Sequence, residues 1–340
     1  LSSARMTLSR ALLAGAAAAL LLPTCAFGVV RRADVPDSSY IQLGKKAAFT
    51  PVGRIEVNYG SGYEAIGTAT LVGGNRLVSA AHVFDSEALN GAVGVRVNFG
   101  HGRIENIDFQ TPGVINIAPG WNPVSLRNDV SVVFLSQSFN IAPARLYAGS
   151  RIHLSTPITF VGYGNTGTGF TGSSQFSILK RGGQNALDLY KMGGRDFEVD
   201  FDQPGNPSAS SLGSPYPLPL EGLLGPGDSG GSVWVKRGHR WIMMGVNSYG
   251  IDWNNNGIQD SYGDRSGFVY LPRYVSWIRS LSSPSFSSSA ERAVSAESIG
   301  FTSVPLAPVP ESAATPVLLA ALGVLAALGN QVRRLRKGRA

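Results

Sequence analysis

The chain has 340 residues, 43% hydrophobic and only 15% charged, with 42 glycines and 20 prolines. That balance excludes a helical bundle and a disordered polyampholyte, and describes a loop-rich protein with a sizeable core. The net charge of +7 sits at the ends, on Arg5 and Arg10 and on Arg333, Arg334, Arg336, Lys337 and Arg339; without these seven, 22 basic residues face 22 acidic ones, so the body is neutral and nucleic acid is excluded as a partner.

Behind the first two arginines, residues 11–22 read ALLAGAAAALLL, followed by Pro23 and the small-residue pattern Ala26-Phe27-Gly28. A basic segment, an apolar run and a small-residue site are the parts of a secretory signal peptide. It is expected over residues 1–28, with cleavage after Gly28 and Met6 as a fitting start. The sole cysteine, Cys25, lies in this segment, and Leu22-Pro23-Thr24 is a poor context for lipid attachment. The mature, exported chain would hold no disulfide, leaving its stability to the core.

From about residue 50 to 280, β-branched and aromatic runs of strand length alternate with glycine-containing turns. They include Arg54–Val57, Thr68–Val72, Leu77–Ala80, Val93–Val97, Val130–Leu135, Ile158–Val161 and Trp241–Val246. No long stretch among them has helical periodicity, which makes an all-β sandwich or barrel pair the natural class. One short helix is predicted late, at Tyr274–Arg279. Residues 282–308 are dominated by Ser, Ala and Pro and read as a linker. Beyond it come Val309-Pro310-Glu311-Ser312, an apolar run from Ala313 to Gly329 and the basic cluster. That run is somewhat short for an ordinary membrane span, a shortfall that a bilayer accommodates by thinning.

Of the four histidines, His101 lies between glycines in a turn, His239 at a polar hairpin tip, and His153 on a strand without an evident partner. His82 differs, because it ends the run Leu77-Val78-Ser79-Ala80-Ala81, whose small residues allow close backbone approach. Asp129 opens the apolar strand Val130–Leu135, where a carboxylate needs a hydrogen-bond partner. Ser229 stands in GPGDSGGSVW, residues 225–234. A serine nucleophile requires a base and an orienting acid, and His82 and Asp129 are the residues present to supply them. Each alone has a bland reading: a core histidine, a turn-capping aspartate, a serine in a tight turn.

Together these stretches resemble the chymotrypsin/trypsin-like serine peptidase family. The matching segments are LVSAAHVF (77–84), NDVSVVFL (128–135), FVGYGNTG (160–167), GPGDSGGSVW (225–234), NSYG (247–250) and SGFVYLPRYVSWI (266–278). The resemblance implies two six-stranded antiparallel β-barrels over residues 29–281, with a short C-terminal helix and the site between the barrels. It implies catalytic roles for His82, Asp129 and Ser229, and an oxyanion hole from the N–H groups of Gly227 and Ser229. Asp228 and Ser248 would be supporting residues, Ser248 by contacting Asp129, and the backbone of Ser248–Gly250 would pair with an extended polypeptide substrate. Leu223, Tyr249, Gly250 and Gly267 would face the substrate side chain. Leu223 stands where trypsin-type members carry an acid, so an apolar preference is expected over Lys or Arg. Asp228 would pair with a new N-terminal ammonium, for which cleavage after Gly28 offers Val29-Val30.

No cofactor is required by this chemistry. Asp252, Asn254, Asn256 and Asp260, with Gly257, match the first nine positions of a calcium loop, although the twelfth position is Gly263. A hairpin tip on Asn256-Gly257 accounts for the same residues. Residues 309–340 resemble the PEP-CTERM sorting segment of Gram-negative bacteria, with Pro-Glu-Ser in place of the usual Pro-Glu-Pro. That implies a membrane-held stage, an exosortase-type processing partner and an extracellular or cell-surface destination. A simple C-terminal anchor is the alternative. The function expected is a secreted serine endopeptidase. The competing reading is a catalytically inactive binding module on the same fold, attached to the cell surface or extracellular matrix.

Overall fold

The computed structural model describes residues 29–286. The expected signal peptide, Cys25, the linker beyond residue 286 and the C-terminal segment lie outside the described residues. Among the described residues, no helix is long and apolar enough to cross a membrane.

The chain opens with β1 (Val29–Arg31) and α1 (Asp37–Gly44). Seven strands follow: β2 (Val52–Asn58), β3 (Tyr63–Leu71), β4 (Arg76–Ser79), β5 (Gly94–Asn98), β6 (Ile104–Asn106), β7 (Ile115–Ile117) and β8 (Ser131–Phe134). They form one curled antiparallel sheet in the order β6-β5-β2-β3-β4-β8-β7. The second half holds β9 (Pro157–Gly162), β10 (Thr166–Thr168), β11 (Gly172–Gln175), β12 (Arg181–Ala186), β13 (Leu189–Lys191) and β14 (Asp196–Asp200). It continues with β15 (Gly222–Leu223), β16 (Ser232–Arg237), β17 (Arg240–Ile251), β18 (Arg265–Tyr270) and the short helix α2 (Val275–Ser280). Its main sheet runs β12-β9-β16-β17-β18-β14-β13, and a small sheet joins β11-β10-β1-β15.

The molecule is thus all-β with two curled antiparallel half-barrels, as the sequence pattern predicts. Each sheet has seven strands instead of six. The short edge strands β6, β7 and β13 are only three residues long, too brief for an alternating pattern to announce them. The predicted runs became β2, β3, β4, β5, β8, β9 and β17 because β-branched residues pack well on a pleated surface, and β8 and most of β9 are buried on both faces.

One buried apolar cluster joins the halves: Ile55, Val57, Leu71, Val97 and Val132 pack in the same body as Val161, Trp234, Val246 and Val269. Phe49 wedges between Trp234 and Trp241, with ring centroids 5.3 and 5.2 Å away. A second cluster fills the other half around Phe160, Phe197, Phe201 and Phe268, and takes in Val29, Val30 and Leu223. Helix α1 is fastened by Arg181, fully buried, whose Nε and Nη2 donate to the two oxygens of Asp37 at 2.7 and 2.8 Å. Such a forked pair fixes geometry as well as charge.

Candidate active site

Strand β4 ends at Ser79 and the chain turns through a short 3-10 segment, Ala81–Val83, which turns His82 toward the start of β8. The His82 N–H donates to Asp129 Oδ1 at 3.0 Å, and Nδ1 lies 2.8 Å from Oδ2. Ser248 Oγ donates to the same Oδ2 at 2.5 Å. Asp129 is fully buried, whereas the His82 side chain is 29% exposed, so the acid is sealed behind an imidazole that keeps an open edge. Asn128 sets the strand entry: it sits at φ +58, its amide donates to Pro119 O and Gly120 O, and its Oδ1 accepts from Tyr274. Ser248 reaches Asp129 because β17 slips register between Asn247 and Tyr249. That bulge leaves Ser248 as the extra residue and re-aims its side chain.

Burial is the largest influence on the His82 imidazole and disfavours its charge. The charge and hydrogen bond of Asp129, with a smaller contribution from Asp85, outweigh it and raise the pKa above the usual histidine value. The other three histidines are exposed.

Ser229 comes from the other half. Its carbonyl accepts the Thr68 N–H of β3 at 2.8 Å, and Thr68 Oγ1 donates to Gly227 O at 3.0 Å. A side chain on Gly230 would lie 3.0 Å from Ala80 N, so the turn carrying Ser229 abuts the segment that leads to His82. No hydrogen bond joins Ser229 Oγ to His82 among the described residues; such contacts are often loose in unliganded enzymes and tighten with substrate. Gly227 adopts φ +92, a left-handed conformation that only glycine takes without strain. Neither the Gly227 N–H nor the Ser229 N–H donates to a protein acceptor among the described residues.

Asp228 braces this turn from within. Fully buried, it accepts from Gly164 N at 2.8 Å and Gly225 N at 2.9 Å. Burial foremost pushes its carboxyl up to about 6, partly offset by these N–H groups and by the backbone N–H of Val29. Val29 is itself fully buried at φ +62, a conformation in which a β-branched residue is a genuine outlier. Its carbonyl accepts from Thr166 Oγ1.

The residues expected to meet substrate divide. Leu223 is fully buried in the apolar cluster around Val30, and lines no open wall. Gly267 lies beneath the Tyr249 ring, which would collide with any side chain there. Gly250 is exposed at the end of β17. Of the calcium-loop residues, Asn254 Oδ1 accepts Asn256 N and Asn256 Oδ1 accepts Ile258 N, which are turn-forming bonds. Asp260 points away toward Gly250. Among the described residues, no three His, Cys, Asp or Glu side chains are grouped to hold a metal ion.

Two contributors were not visible in the sequence. Thr68 grips the turn that carries Ser229, but as one of two threonines in β3 it gives no signal of that role. Asp196 is 1% exposed and neither of its oxygens finds a hydrogen-bond partner. Burial, followed by the negative charge of Asp129, pushes its carboxyl up to about 7. A second acid therefore stands behind the first.

Residues 46–185 match the family model for trypsin. The span contains His82 and Asp129 and ends before Ser229. It supports a trypsin-like serine peptidase, and with it a polypeptide substrate. No curated protein matches the chain.

Proposed function

We propose that the chain is a secreted serine endopeptidase that works through Ser229, His82 and Asp129. The observation that carries this reading is the grip on His82. Asp129 is sealed from water and engages both the backbone N–H and Nδ1 of His82. That fixes the tautomer with Nδ1 protonated and leaves Nε2 free to accept a proton. Ser229 Oγ attacks the scissile carbonyl carbon while His82 Nε2 takes the hydroxyl proton. The tetrahedral oxyanion is held by the unpaired N–H groups of Gly227 and Ser229, each donor worth about 3–4 kcal/mol. Collapse breaks the C–N bond, His82 returns its proton to the leaving amine, and the acyl group remains on Ser229. Water, deprotonated by the same histidine, releases it.

Export and maturation belong to the same reading. Cleavage after Gly28 would convert the Val29 N–H that already faces Asp228 into an ammonium, placing a positive charge against a buried carboxylate. It would also abolish the strained φ of Val29, since that angle exists only while residue 28 is attached. Processing at the PEP-CTERM-like segment would then set where the enzyme resides.

A fluorophosphonate probe tests the reading. Labelling of the wild type, and none of Ser229→Ala, is expected; an unlabelled wild type, or equal labelling of the variant, refutes it. N-terminal mass spectrometry of the labelled protein should find Val29. Full labelling of a chain that begins elsewhere removes the maturation step.

A further inference from the structure

A cavity that no catalytic step uses lies beside the start of β9. It measures about 510 Å³ and is lined by Arg151, Ile152, His153, Leu154, Leu189 and Tyr190, a size that suits a small molecule. Gly164, beyond the other end of β9, donates its N–H to Asp228 beneath the turn that carries Ser229. The six extended residues of the strand hold the two ends about 17 Å apart.

Tyrosines fix the floor of the cavity. Tyr190 donates its hydroxyl to Ile152 O at 2.9 Å, and the Ile152 N–H donates to the Tyr270 hydroxyl at 3.3 Å. Arg151 stacks on Tyr190, its Cζ 3.8 Å from the ring centroid, and hydrogen-bonds the Tyr190 hydroxyl. The stack covers one face of the guanidinium and leaves other N–H groups in its plane to donate. Arg273 comes alongside. A side chain on Gly194 would lie 3.5 Å from Arg273 Nη2 and 3.9 Å from Arg151 Cζ, so the two guanidiniums converge on the space that the glycine leaves. Arg273 is held there by the carbonyls of Gly194 and Gly193, at 3.4 and 3.2 Å. Among the described residues neither cation forms an ion pair, whereas Lys191 of the same hairpin reaches Glu198 at 3.6 Å. Two like charges brought together without an acid repel, and a dianion between them removes that cost. Much of the remaining lining is apolar, with Ile152 buried and Leu154 53% exposed as an open wall.

We propose that this cavity binds a small phosphate monoester. The dianionic phosphate receives in-plane N–H groups of Arg151 and Arg273, with His153 as a further donor, and the apolar body of the ester lies against Ile152, Leu154 and Leu189. A guanidinium fork meets phosphate oxygens two at a time, and a dianion matches two cations better than a single carboxylate would. The site is independent of the peptidase reading, since none of its residues belongs to the catalytic set.

Calorimetry with phenyl phosphate on the full chain tests it. The ester is expected to bind about tenfold more tightly than inorganic phosphate, which lacks the apolar body, and than benzyl alcohol, which lacks the charge. Arg151→Gln and Arg273→Gln should each lose about tenfold. Leu154→Asp sets an acid on the exposed wall, and should lose as much while melting like the wild type, which guards against a folding defect behind the arginine losses. Labelling with fluorophosphonate should leave the affinity unchanged; binding that labelling abolishes would put the ester in the catalytic cleft and overturn the proposal. Inorganic phosphate that binds as well as the ester, an affinity that survives all three substitutions, or no binding at all overturns it too. A protein that binds the ester and never labels keeps this site and loses the peptidase reading. Sedimentation with phosphatidate vesicles and not with phosphatidylcholine vesicles, abolished by Leu154→Asp, supports the site with a lipid headgroup as the source of the ester. Phenyl phosphate binding without sedimentation supports it with a soluble one.

Discussion

The two halves of the molecule treat buried acids differently. In the first, acids are met by donors. Glu56 lies between Arg54 and Arg96, whose attraction outweighs the upward push of burial and leaves its carboxyl below the ordinary value. Glu105 takes the Ser136 hydroxyl and the Gln137 amide, and Asp129 takes three donors. In the second half, Asp200 likewise takes the Ser210 hydroxyl and the Ser211 and Leu212 N–H groups, but burial prevails at four others. Asp188, Asp196 and Asp202 are each raised to about 7 and Glu221 to about 8, and one oxygen of Asp202 has no partner. The first half surrounds its buried acids with donors, while burial governs these four acids of the second. Where the halves meet, Asp129 takes its three donors from His82 and Ser248, while the neighbouring Asp196 has no hydrogen-bond partner.

The sharpest way to break this comparison is to neutralise each of the two facing acids in turn. Asp129→Asn removes the acceptor that sets the His82 tautomer and is expected to cost about 10⁴-fold in kcat. Asp196→Asn should leave kcat within about threefold, since that side chain orients nothing. Equal losses in a peptide-hydrolysis assay would show that the two acids act as one unit. Arg181 is the second half's exception, a buried cation with a designated partner. Asp37→Ala strands that charge and should cost about 3 kcal/mol in denaturant unfolding. A cost near zero would mean that water reaches Arg181.

Stability against pH comes next. A carboxyl with a higher pKa folded than unfolded keeps a proton that the unfolded chain has released, so falling pH favours the native state between about 8 and 4. Raised His82 acts in the same direction, its stabilisation being lost as pH rises through its folded value. The melting temperature should therefore be several degrees higher at pH 5.5 than at pH 8, and Asp196→Asn should flatten that slope by about 1 kcal/mol at the alkaline end. Glu56 works oppositely, its contribution vanishing only at more acidic pH, where its lowered carboxyl finally protonates. A melting temperature that rises from pH 5.5 to 8 would contradict the proton-holding account. The smallest effect concerns Asp85. Asp85→Asn should lower the acidic limb of kcat/KM by a few tenths of a pH unit, as expected of a partly screened charge.

The sequence made the strands legible wherever β-branched and aromatic residues cluster over four or more positions, as in β2 and β8, and made α2 legible through Tyr274–Arg279. It concealed α1, whose Asp37-Ser38-Ser39 start carries little apolar periodicity, and the three-residue edges, where too few residues sit to show a period. The catalytic candidates could be read because their local strings are distinctive. Their surroundings could not: Asp196 stands out only once the charge of Asp129 is seen near it, and Asp260 reads as a turn residue until Gly250 is seen to make room for it. Leu223 shows the converse. Its position suggested a pocket floor, whereas its pairing with β1 turns it into core.

Thr68 carries a consequence for the molecule's integrity. One residue of the first half holds two consecutive turns of the second by its amide and its hydroxyl, and its own oxygen accepts the Tyr163 N–H. The turn that carries Ser229 is thus joint property, and neither half can be its sole custodian. Heat or denaturant that loosens the seam would unseat Ser229 before either sheet melts, so failure should begin as a silent disarming while the strands persist. Under the peptidase reading that ordering is a safeguard: a damaged copy goes quiet first and falls apart later.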